Sequence, residues 1–170
     1  MKRAHLPYLA LWLVILSVFA AQGVTMAKSP ATTGHFTFNS TTGSAFMVND
    51  ASAPPVSVTI SIAGTYHQVG SGGKIVQLTV TSGSITVNGG AAQDLLKGNG
   101  VYNPATGKIV ITALVDVPPG AHGRNLVLYG TVSSGYYYSQ LGGTATFVMP
   151  QSKLSGAYFL AVEGTLSFSA

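Results

Sequence analysis

A two-residue rhythm of apolar and polar side chains runs through most of this chain, and it narrows the possible folds more than any other feature. It organises residues 74–90, KIVQLTVTSGSITVNGG. There Val76, Leu78 and Val80 alternate with Gln77, Thr79 and Thr81; Ser82-Gly83 breaks the run; and Ile85 and Val87 then alternate with Ser84, Thr86 and Asn88. Strict alternation puts one face of an extended strand in a core and the other in water, and a Gly-containing break between two such runs predicts a β-hairpin.

The same pattern recurs on both sides. Residues 34–39 (GHFTFN) place Phe36 and Phe38 on one face, and 45–49 read as another short strand beyond a polar turn at 41–44. The paired prolines of 50–55 (DASAPP) make a loop, since proline cannot continue a central strand. Val56, Val58, Ile60 and Ile62 form the apolar face of 56–66, and Ile109, Ile111, Ala113, Val115 and Val117 that of 108–117. Residues 91–100 are irregular, with room for one helical turn around 94–97. Further alternating runs cover 124–133, 144–149 and 157–170. No segment sustains a helical period. The sum is an all-β domain of about nine or ten short strands joined by tight turns, a single antiparallel β-barrel or a two-sheet β-sandwich. A repeated detail favours the barrel: apolar-x-Gly-Thr-apolar occurs around Gly64, Gly130 and Gly164. Each glycine stands on the inward phase, where it lets a strand bend sharply.

The N-terminus carries Lys2 and Arg3, then an apolar run from Tyr8 to Ala21, then small residues. That is the build of a secretory signal peptide, a hydrophobic helix ahead of the barrel, with cleavage sites after residues 20, 23 or 27. An uncleaved anchor is the alternative, and the only route by which membrane contact is expected. Residues 1–27 are thus the leader, 28–34 a flexible linker and 35–170 the secreted domain. Localisation is expected to be extracellular or at the cell surface.

Composition then removes whole classes of function. Cysteine is absent, so there is no disulfide framework and no thiolate chemistry. Charged residues make up 7% of the chain against about 25% in ordinary soluble domains; Ser, Thr and Gly take their place. Beyond the leader, six scattered Lys/Arg face four Asp/Glu, a net charge near +2 with no basic stripe. Nucleic-acid binding needs such a stripe, so it is not expected.

Catalytic signals are equally thin. His35, His67 and His122 share no metal-ligand spacing, and Asp50, Asp94 and Asp116 lack a calcium-loop pattern. Asp116 and Glu163 are the acids placed inside strands, both on the polar phase, and are the pair a glycosidase would use. The segment GSGGK at 70–74 lacks the spacing of a phosphate loop and precedes a strand. No cofactor is implied and no enzyme is expected.

Two features remain as candidate binding or interface elements. Residues 133–140, SSGYYYSQ, set Tyr136, Tyr137 and Tyr138 among Ser and Gly, the mix used by antibody loops; aromatic faces also stack on sugars. The early segment with Phe36 and Phe38 could add to the sheet of a neighbouring copy, or be an ordinary first strand. A leader followed by a barrel is similar in layout to lipocalins and avidins, and the composition is similar to secreted β-rich pilus or matrix subunits, with no motif of these families legible. The expectation is a non-enzymatic surface domain, structural or adhesive, partnering itself by strand addition or surface glycans. A barrel binding a small ligand or carbohydrate is the alternative, and an extracellular hydrolase the third reading.

Overall fold

A computed structural model describes residues 33–50, 52–69, 75–116, 125–133, 138–148 and 155–170, with backbone alone for 138–141, 145–148 and 155–156. They form eight strands: β1 (Thr33–Met47), β2 (Val56–Val69), β3 (Ile75–Val87), β4 (Gln93–Tyr102), β5 (Lys108–Val115), β6 (Asn125–Val132), β7 (Tyr138–Val148) and β8 (Ser155–Ser169). Each pairs antiparallel with the next, and β8 pairs back onto β1, so the sheet is a closed barrel rather than a sandwich. The expected leader lies outside the described residues. Thr33 and Gly34, assigned above to the linker, already belong to β1.

The strand count falls from nine or ten to eight because breaks in the alternation are bulges, not turns. In β3 the buried positions are Val76, Leu78 and Val80, then Ile85 and Val87, so the phase slips by one residue across Ser82-Gly83. A hairpin turn and a β-bulge both produce that slip. Here the strand runs straight through, with the register against β2 shifting between Ala63 and Gly64. The 34–39 and 45–49 segments merge into β1 in the same way, through an irregularity at residues 39–44. Where that irregularity interrupts the ladder, the Ile60 amide donates to Ser40 Oγ at 2.7 Å and so keeps a partner. Asn39-Ser40-Thr41 also spells an N-glycosylation sequon, and it sits within this bulged strand. The helical turn expected at 94–97 is a third bulge, between Leu95 and Gly98 of β4.

The apolar phase points inward throughout. Phe36, Phe38, Ile60, Ile62, Leu78, Ile85, Ile109, Ile111, Leu126 and Leu128 are fully buried in one continuous core. Each such side chain contributes about 1.5–3 kcal/mol on burial. The outward phase is largely Ser and Thr: Ser57, Thr59, Thr65, Thr79, Thr86, Thr112, Thr131 and Ser167. A lipid-facing barrel shows the reverse pattern, apolar outside and polar within. No helix among the described residues is long and apolar enough to cross a membrane.

Following the paired residues once around the barrel shows how far it is sheared. From Phe36 the row passes through Gly64, Val80, Gly98, Ala113, Leu126, Ala145 and Tyr158, and returns to β1 at Met47. A row that returns this far along its first strand means strands tilted by about 45° to the barrel axis. A lumen of eight tilted strands is just wide enough to fill with side chains, and glycine makes room where the largest meet. Phe36 stands opposite Gly64 in the ladder, and the Phe38 ring lies over Gly164. A Cβ on Gly64 would fall 2.0 Å from the Thr79 carbonyl oxygen and 2.8 Å from the Phe36 ring.

This arrangement separates glycines that permit the fold from one that does not. Gly64→Ala is expected to lower stability by about 1–3 kcal/mol, since backbone and a core ring must both move. Gly142→Ala has nothing nearer than 3.8 Å to its new methyl and should change stability by less than about 0.5 kcal/mol. Urea unfolding of the two variants checks this, and equal losses would mean the barrel is not packed as described.

Candidate functional site

The sequence candidates separate once they are placed on the barrel. Phe36 and Phe38 lie in the core of their own barrel, and β1 is paired along both edges, with β2 and with β8. Lending β1 to a neighbouring copy would therefore require the barrel to open. Tyr138 opens β7, its backbone paired with Thr165; Tyr136 and Tyr137 lie outside the described residues. Asp116 follows the end of β5, and Glu163 lies on β8 toward the opposite end, three strands away. They are offset by about 25 Å along the strand direction, whereas glycoside hydrolysis needs carboxyls roughly 5–9.5 Å apart. His35 and His67 do approach, as diagonal neighbours on the outer face of β1 and β2, where His35 faces Thr65 and His67 faces Thr33. Their sequence positions could not reveal this, because it depends on the β1–β2 register. No group of three metal-ligating side chains occurs among the described residues.

A different set of side chains stands out on the outer wall. Tyr129, Phe159 and Phe46 are 56%, 52% and 44% exposed, the large aromatic side chains that the described residues leave on an outward phase otherwise carrying Ser, Thr and scattered aliphatics such as Leu96 and Ile75. The register brings them together. Val101 pairs with Val110, Val110 with Tyr129, Tyr129 with Gly142, and Gly142 with Ala161. Two residues along β7, Thr144 pairs with Phe159, and Phe159 with Phe46.

The barrel's shear decides how this set is laid out. A path round the wall combines crossing strands in chain order with stepping back along the odd-numbered strands, as the return from Phe36 to Met47 requires. The path from Tyr129 to Phe159 crosses two strands and steps forward along β7, from Gly142 to Thr144, so it runs nearly parallel to the barrel axis. At about 4.8 Å per strand and 3.4 Å per residue the two rings' Cα atoms are about 12 Å apart. Val110, Tyr129, Phe159 and Phe46 thus form one stripe, about 20 Å long, down one side of the barrel.

The stripe has relief. Between Tyr129 and Phe159 the wall carries Gly142, Thr144, Ala161 and the half-buried Val127, which pairs with Thr144, and no side chain lies within 4 Å of where a Gly142 Cβ would be. Two aromatic rings therefore flank a low floor. Thr131 borders it, Thr144 lies within it, and Thr112 stands beyond Val127. Among the described residues the ionisable neighbours are Lys108, beyond the Tyr129 end, and Glu163, to one side.

The chain matches no family model, no curated protein and no solved structure.

Chemically, the stripe offers apolar and π surface with flanking hydroxyls and no charge of its own. It can bind by stacking and hydrogen bonding, and it holds no nucleophile or acid–base pair. Sequence reading missed it because a lone aromatic on a polar phase is common. The available signal was three such exceptions in one chain: Phe46, Tyr129 and Phe159.

At one end of the barrel four aromatic rings pack together around Phe168. Phe168 stacks on Tyr102 with centroids 5.5 Å apart, meets Tyr66 edge-on at 5.2 Å and lies tilted against Phe36 at 6.5 Å. Burial in this cluster pushes the Tyr102 phenol above its ordinary value. The folded protein therefore keeps that proton at pH values where the unfolded chain, with a phenol near 10, has lost it. Stability from this source is whole below about pH 10 and declines as pH rises through the folded value. Thermal unfolding measured from pH 8 to 11 should show Tm falling above pH 10. Tyr102→Phe should fall less steeply over that range; an identical fall would place the alkaline sensitivity elsewhere, Tyr158, shifted in the same direction, being the first alternative.

Proposed function

We propose that this chain is a non-enzymatic, exported domain of the cell surface that works by adhesion through the outer wall of its barrel. One observation carries the reading: the interior is taken up by a continuous apolar core, while large aromatic rings are left half exposed outside in a single stripe. A barrel that stores a small ligand does the opposite, keeping its recognition groups inside. The leader-like N-terminus and the low charge support export and close approach to other surfaces. Strand addition through β1 is a weaker route to the same end, because Phe36 and Phe38 would have to leave the core.

The test begins with cells producing the full chain. The protein is expected in the exported or surface fraction, and the purified mature form should sediment with envelope fragments of those cells. Asp116→Asn and Glu163→Gln should leave that sedimentation unchanged. Recovery from the cytosol alone would overturn the proposal. So would a protein that stays in the supernatant while a small apolar molecule raises its Tm, which would restore the lumen-binding alternative.

A further inference from the structure

We infer that the Val110–Tyr129–Phe159–Phe46 stripe is a binding platform for an extended neutral polysaccharide, its sugar faces stacking on Tyr129 and Phe159. This names the ligand class for the outer-wall adhesion proposed above and rests on that reading. Three properties of the stripe select the occupant.

The first is charge. Among the described residues no ionised side chain stands within the stripe, and the two nearest carry opposite signs at its margins, so it attracts neither an anionic polymer nor a membrane surface. The second is area. Three aromatic side chains and Val110, each about half exposed, present apolar surface on the order of 400 Å². A stable protein partner covers about 800 Å² per side. The stripe is too small for that and is elongated, which suits a chain-like ligand crossing it lengthwise.

The third is relief and chemistry. The rings stand about 12 Å apart along the axis with a floor of Gly142, Thr144, Ala161 and the half-buried Val127 between them. A chain of a few pyranose rings can lie over that floor, its apolar C–H faces against the aromatic rings and its hydroxyls against the Thr144 and Thr131 side chains. Gly142 matters here because any side chain would raise the floor. The stripe also rests on strands, not loops, so it is already in its binding shape and little is lost in ordering it.

The experiment is sedimentation of the purified mature protein with insoluble cellulose, chitin and a β-1,3-glucan. Retention on at least one is expected, insensitive to 0.5 M NaCl. Tyr129→Ala and Phe159→Ala should each weaken it about tenfold, Tyr129→Phe should retain it, and Gly142→Leu should block it. Val69→Ala, on another part of the wall, is the control. Because all these side chains face outward, circular dichroism and Tm should be unchanged, which separates lost binding from lost folding. Retention on none of the three polysaccharides overturns the inference. If envelope sedimentation persists in that case, the ligand class is wrong and outer-wall adhesion stands. Retention that survives both alanine substitutions, or that salt abolishes, also overturns it. So does concentration-dependent dimerisation removed by Tyr129→Ala, which would make a second copy the occupant.

Discussion

Closure of β8 onto β1 is the constraint on which the rest of this structure depends. An open sheet of eight strands with one greasy face would need a second layer to cover that face, and would expose two edges of unpaired amides and carbonyls. The pairing of β1 with both β2 and β8 removes both needs at once. The sheet becomes its own second layer, with Phe36 and Phe38 of β1 reaching across onto the space that Gly64 and Gly164 leave. Closure also accounts for the composition. Soluble sheets commonly guard their edges with Lys, Glu and inward-pointing charges. A barrel has no edge to guard, so a wall of Ser and Thr with 7% charged residues is consistent with a soluble fold.

Much of this was legible in the sequence because the inward phase is so regular. Val58, Ile60, Ile62 and Tyr66 of β2, and Ile109, Ile111, Ala113 and Val115 of β5, are buried as alternation requires. The inward glycines of the repeated apolar-x-Gly-Thr-apolar segments pointed to a sheet curling on itself. What misled was the meaning of a phase slip. Ser82-Gly83 in β3 and residues 41–44 in β1 look like turn chemistry, and a turn or a bulge changes the phase alike. Only the partner strand decides between them: β2 runs unbroken from Val56 to Val69, and β3 must match its length to bury Ile85 and Val87 as well as Val76. That is long-range information which no local window holds.

The outer stripe was hidden for a related reason. Phe46, Tyr129 and Phe159 are far apart in the chain, and each alone is an unremarked exception on a polar face. Their alignment is created by the shear of the barrel, a property of closure as a whole. With a different shear the same three rings, in the same strand order, would spiral round the wall and face different directions. The stripe exists because the tilt of the strands and the two-residue step along β7 cancel sideways and add along the axis.

This bears on why we propose the outer wall, rather than an end of the barrel, as the binding surface. At one end Phe168, Tyr102, Tyr66 and Phe36 pack on one another, so their rings are spent on stability. Rings that pack on one another cannot also stack on a ligand without unpacking the barrel. Tyr129, Phe159 and Phe46 carry no such duty. They lie opposite Gly142, Thr144 and each other on the solvent side, and removing them costs the core nothing. Natural walls of this kind are otherwise coated in hydroxyls, and an exposed phenylalanine pair gives up solubility for no folding gain. A bilayer would call for such residues all round the circumference. Among the described residues the exposed aromatic rings gather on one side of the wall, with Leu96 and Ile75 as scattered aliphatics elsewhere, and a one-sided, elongated patch suits the long, thin ligand proposed above.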